Sequence, residues 1–143
     1  MNSFLASLAP LAQPVGRALM ALIFIMAGFS KIGGYAGTAQ FMDAMGVPGM
    51  LLPLVILLEL GGGIMLLIGW QARLAAFLLG GFSVIAGVIF HLVPSFGLEG
   101  MAAQTEMIMF MKNLAIAGGL GFVVAHGAGA LSVDGRGAAA QTA

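Results

Sequence analysis

The chain has no cysteine, and its 143 residues include only five lysines and arginines, five aspartates and glutamates, one tryptophan and one tyrosine. Without thiols there are no disulfides, thiolate nucleophiles, iron–sulfur clusters or thiolate zinc sites, and the redox compartment stays open. The shortage of charge excludes more. A soluble domain carries about 25% charged residues because its surface must be hydrated. Here the share is 7%, against 61% hydrophobic residues, too little to coat a water-soluble particle of this size. The chain therefore reads as a membrane protein. Its formal net charge is zero and it has no basic run, which argues against a nucleic-acid partner. No basic residue precedes Arg17, so the charged start of a secretory signal peptide is missing and the N-terminus is expected to belong to the mature protein.

What the chain does have is long apolar runs. A helix crossing the hydrocarbon core needs about 20 mostly apolar residues. Four stretches qualify, at about 15–32, 51–70, 74–93 and 106–126. Pro14 suits the first turn of the first helix, Pro94 stops the third, and Glu106 is expected in the first turn of the fourth, where the helix dipole favours an acid. Short connections then predict a single all-α domain over 1–143, a membrane-embedded antiparallel four-helix bundle. Between the first two spans, Phe41, Met42 and Met45 recur at helical spacing between glycine-rich ends, the pattern of a short amphipathic helix at the interface. The glycine- and alanine-rich tail, 127–143, is expected to be loose. Arg17, Arg73 and Arg136 share one side of the membrane with both termini, so the basic bias predicts cytoplasmic termini.

The run "LLPLVILLELGGGIMLLIGW", residues 51–70, holds one charged residue, Glu59. An ionised carboxylate in apolar surroundings is costly unless it has a partner or a task. The other intramembrane polar groups are Lys31, His91, Lys112 and Asn113, and the predicted topology puts all of them with Glu59 in the outer half of the bilayer. Glu59 lies about 12 Å into its helix at ~1.5 Å per residue, and Lys112 and Asn113 about 9–10 Å into theirs. At 100° per residue each shares a face with small residues: Glu59 with Gly62 and Gly63, His91 with Gly87 and roughly Gly80, Lys112 with Ala115 and Gly119, Lys31 with Ala27 and Gly28. Small residues mark close helix approach, so these faces are expected to turn inward. Together they predict a polar cluster, with Glu59 beside Lys31 or Lys112. The same residues also admit a purely structural reading, since an intramembrane ion pair can hold helices in register and end lysines can snorkel to the interface. His91 and His126 fall at opposite ends of the membrane and cannot share a haem or metal, so no metal site is expected. "GYAGTAQ" follows no strand, so a phosphate-binding loop is not expected either.

Several segments also resemble the DoxX family: "RALMALIFIMAGFSK" in the first helix, "GVPGMLLPLVILLELGGGIMLLIGW" into the second, "QARLAAFLL", "VIFH" and "FMKNLAIAGGL". The likeness runs from about Val15 to Asp134. It implies a small four-helix protein of the bacterial inner membrane, linked to oxidoreductase or oxidative-stress systems and, in one branch, to quinone reduction. The family's polar positions fall on Arg17, Lys31, Glu59, His91, Lys112 and Asn113, with Arg17 in a structural role.

Three functions follow as expectations. The first is a membrane subunit of a redox system binding a quinone or similar amphipathic molecule within the bundle. Lys31, Lys112 and Asn113 would donate hydrogen bonds, and Glu59 and His91 would relay protons. No covalent cofactor is expected, so electrons would come from a partner protein, and the chain would be at most a quinone-interacting oxidoreductase subunit. The second is a non-enzymatic scaffold that recruits a partner. The third is a small-solute transporter, which with only four spans would need a homo-oligomer. All three place the lipid bilayer against the chain.

Overall fold

The computed structural model describes residues 2–129 and 131–136. Helix α1 spans Asn2–Gly33, α2 Tyr35–Ala44, α3 Leu52–Ile68, α4 Ala72–Gly87 and α5 Gly100–His126. Among the described residues, four helical stretches are long and apolar enough to cross a bilayer: Pro10–Gly33, Gly49–Ile68, Ala72–Ser95 and Gly100–His126. The all-α membrane bundle is thus the architecture observed. Large apolar side chains such as Leu19, Leu54, Leu57, Phe77 and Phe122 cover its outside, a surface suited to hydrocarbon.

The helix boundaries differ from those expected in two instructive places. Helix α1 does not start at Pro14 but runs through both Pro10 and Pro14. A proline removes its own N–H from the ladder, yet an apolar solvent offers the neighbouring groups nothing better than the helix. Helix α5 starts at Gly100 rather than Glu106, following an extended Glu99. Glu106 therefore lies well beyond the first turn, and the dipole argument for it falls.

Helix α3 begins through a tight 3-10 turn at Gly49–Leu51 with a proline in its first turn. It ends at Gly69, whose φ of 71° puts it in the left-handed region and whose N–H donates to the Met65 carbonyl, a glycine-favoured stop. After α4 the chain passes through a π turn at Val88–Leu92, where the Val93 N–H reaches back to Val88, and one further helical turn at Val93–Ser95, so Pro94 does not stop the span but sits in its last turn. The predicted interfacial helix is α2. Its Met42 is buried, and Phe41 stacks on Phe90 at a centroid distance of 5.6 Å.

Helix α1 packs along α3 and α4 along α5. The two pairs join through α3 and α4, while α1 and α5 meet only briefly. The core is Ala21, Phe24, Leu66, Ala72, Ala75, Ala76, Leu79, Leu120, Val123 and Ala128. Its alanines bring α4 close to its neighbours. The seam between α1 and α5 is the weak side of the bundle.

The tail expected to be loose from residue 127 is engaged as far as it is described. The buried Arg17 guanidinium donates to the carbonyls of Ala128, Leu131 and Leu67. The Asp134 carboxylate accepts from the Gln71 and Ala72 N–H groups, each at 2.9 Å, which caps α4. The Asp134 N–H donates to Gly69. Such contacts satisfy helix-end groups that have no intrahelical partner. The remainder of the tail, 137–143, lies outside the described residues.

Candidate ligand-binding cavity

Close helix contact sets the geometry of the polar residues. A Cβ at Gly28 would fall 2.6 Å from Leu60, and one at Gly63 would fall 2.8 Å from Ile25, so α1 and α3 nearly touch. That approach lets Lys31 Nζ, near the end of α1, reach Glu59 Oε1 at 2.9 Å. Of the two lysines expected beside Glu59, Lys31 is the one that pairs. Glu59 is 3% exposed, and its other oxygen, Oε2, is buried with no hydrogen-bond partner among the described residues.

On the opposite helix pair, a Cβ at Gly87 would fall 2.9 Å from the Asn113 side chain, so α4 and α5 are equally close. Asn113 Nδ2 donates to the Met109 carbonyl at 2.9 Å, which leaves its amide oxygen available. His91 sits in the π turn, and its Nδ1 lies 2.7 Å from Glu106 Oε2. A π turn inside an α-helix frequently accompanies a functional site. Lys112 takes a different course. Its Nζ lies 3.1 Å from the Met109 sulfur, a weak acceptor, and no carboxylate among the described residues is within salt-bridge distance.

These groups border a single cavity of about 450 Å³. Lys31, Glu59, His91, Lys112 and Asn113 all line it, together with Phe24, Phe41, Phe82, Phe90 and several aliphatic side chains. The expected depths need adjustment. Lys31 and His91 lie near the helix ends, but Lys112 is twelve residues past Gly100 in a 27-residue helix, or about 18 Å along it. Lys112 is therefore at mid-helix, and the cavity deepens from Lys31 and His91 toward Glu59 and Lys112. Arg17 does not belong to it. It lines a second cavity of about 470 Å³ at the other end of the α1–α5 seam, with Gln13 and His126.

Glu106 and Asp134 escaped the sequence reading. The apolar pattern puts Glu106 at a helix start, although it precedes Asn113 and Leu120 by one and two heptads and so shares their inward face. That spacing was the available signal. For Asp134 none existed, because its partners lie more than sixty positions away. Among the described residues, no three histidine or acidic side chains converge as metal ligands would.

Four tightly paired apolar helices enclosing an off-centre polar cavity define a small integral membrane protein with an internal site. The DoxX family model matches residues 12–92, more than half of the chain, and the chain belongs to that family. It is 48% identical to the inner membrane protein YqjF of Escherichia coli (strain K12) over 120 residues, 84% of this chain and 87% of that one. It is 33% identical to the inner membrane protein YphA of the same organism, covering 89% of this chain and 91% of YphA. A shorter likeness, 32% over 62 residues, links it to CatD of Bacillus subtilis (strain 168), which carries the provisional name of an oxidoreductase; it covers 43% of this chain and 46% of CatD. No solved structure matches the chain.

Proposed function

We propose that the protein is an inner-membrane subunit of a redox system and that its cavity binds a quinone or a similar small amphipathic molecule. One observation carries this reading: five polar side chains from four helices line the same otherwise apolar space, and several keep hydrogen-bonding capacity unused. Ligand pockets are mostly apolar with a few convergent polar groups, and a volume of roughly 300–1,000 Å³ is usual. A quinone carbonyl would accept from Lys112, and a reduced hydroxyl would donate to the unpartnered Glu59 oxygen. His91, held by Glu106, would carry a proton between the cavity and the helix ends. The chain has no cysteine, so it holds no iron–sulfur cluster or redox-active thiol, and a partner protein would deliver the electrons. The oxidoreductase name of CatD agrees with that role, and the names of YqjF and YphA agree with an inner-membrane location.

The test is a titration of the purified, delipidated full chain with a panel of short-chain benzoquinones and naphthoquinones. The wild type is expected to bind at least one saturably. Asn113→Leu, which removes polar capacity from the cavity wall, is expected to weaken binding about tenfold, the equivalent of one hydrogen bond. A folded wild type that binds none of them would replace this reading with the scaffold.

A further inference from the structure

The charges around the cavity are not evenly matched. Lys31 is balanced by Glu59 at 2.9 Å, and Glu106, about 1.7 turns from Lys112 along α5, is engaged by His91 at 2.7 Å. Lys112 stands at mid-helix with, among the described residues, only a thioether within hydrogen-bond reach. An ammonium at that depth in a bilayer is expensive, and such groups normally face a cavity and find a counter-charge there. Lys112 is exposed on the bundle and borders the cavity. Among the described residues, nothing in the protein supplies the counter-charge.

We infer that the occupant brings it: the cavity selects an aromatic ligand carrying an oxyanion, such as a hydroxyquinone or phenolate, with Lys112 as the residue that sets this preference. This rests on the proposal that the cavity binds quinone-like molecules and narrows it to the anionic members of that class. The aromatic part follows from the apolar share of the lining. Phe24, Phe41, Phe82 and Phe90 all contribute to it, and the Phe41–Phe90 stack presents ring faces and edges against which a planar ligand can pack. An oxyanion beside Lys112 makes a charge-assisted hydrogen bond in low dielectric, roughly twice as strong as a neutral one. A neutral ether at the same position gains no such contact and leaves the ammonium uncompensated.

The experiment compares three probes on the purified full chain: 2-hydroxy-1,4-naphthoquinone, ionised at neutral pH; its neutral 2-methyl ether; and laurate, an anion without a ring. The expected result is at least tenfold tighter binding of the hydroxyquinone than of the ether by wild type. Lys112→Met should abolish that preference and Lys112→Arg should keep most of it, with melting temperatures confirming that both variants are folded. Equal or tighter binding of the ether by wild type would overturn the inference without any variant, and would leave the quinone reading standing. Laurate binding as tightly as the hydroxyquinone, with the same dependence on Lys112, would overturn the aromatic part. Saturable binding of none of the three would sink both this inference and the quinone reading beneath it.

Discussion

The bundle holds two cavities of similar size, about 450 Å³ among all four spans and about 470 Å³ between α1 and α5, and their polar groups are used differently. At the Arg17 end the guanidinium is largely committed: three backbone carbonyls, from α3 and the tail, accept from its two terminal nitrogens, and its Nε alone is buried with no hydrogen-bond partner among the described residues. That cavity is bordered by an arginine already engaged in joining α1 to α3 and to the tail. At the Lys31 end only part of the polar inventory is committed. Among the described residues, Glu59 has one bonded and one unbonded oxygen, Asn113 has an available amide oxygen, and Lys112 has no carboxylate within salt-bridge distance. Met20 and Gly119, in near contact, separate the two. An arginine at one end therefore serves folding, and a lysine at the other is left for something else. Residue type and depth alone do not distinguish them; the number of satisfied bonds does.

That contrast breaks first at Arg17. Arg17→Leu removes the donors from three carbonyls and frees the tail, and is expected to lower stability by roughly 3–5 kcal/mol, since bonds to a charged group contribute about 1.5–3 kcal/mol each and do not add fully. Thermal unfolding in detergent, with limited proteolysis of the tail beside it, reads the effect. A melting temperature unchanged from wild type would show that the guanidinium does not hold this end together.

Glu59 should come second. Glu59→Leu strands Lys31 without its partner and is expected to cost about 2–3 kcal/mol, below the full loss for a buried pair because the Lys31 side chain keeps 25% exposure. Adding Lys31→Met should recover much of the loss, as a double-mutant cycle would show. If the double variant is no more stable than Glu59→Leu alone, the pair is not the source of the cost.

The smallest effect sharpens the contrast most. Lys112→Met removes a charge that no carboxylate among the described residues balances, so stability should change by no more than about 0.5 kcal/mol or rise. A loss comparable to that of Glu59→Leu would make Lys112 structural and erase the difference between the two ends.

Much of this arrangement was legible in the chain itself, for physical reasons. Four apolar runs in a sequence this poor in charge leave one architecture, because backbone groups in hydrocarbon must bond within their own helix. The glycine and alanine neighbours of Lys31, Glu59 and His91 reported close approach, and hence the inward faces. Which lysine meets Glu59 was not legible, since that depends on depth, and the start of α5 lay six residues earlier than its apolar pattern suggested. The Asp134 cap depends on distant chain segments meeting and leaves no local trace. Nor does composition announce the π turn, since Val88–Leu92 reads like any apolar helix.

That turn has a consequence for how the site can vary. A π turn accommodates an extra residue within a helix, so everything after it is offset by about 100° from where an unbroken α-helix would put it. Deleting one residue from 88–92 would restore ordinary phase and swing His91 away from Glu106, while the packed face of Ala72–Gly87 would keep its angular setting. The offset thus uncouples the two halves of this span. One half is locked by its alanines against the core, and the other can re-aim its histidine only by giving up the contacts that His91 and Phe90 make with Glu106 and Phe41.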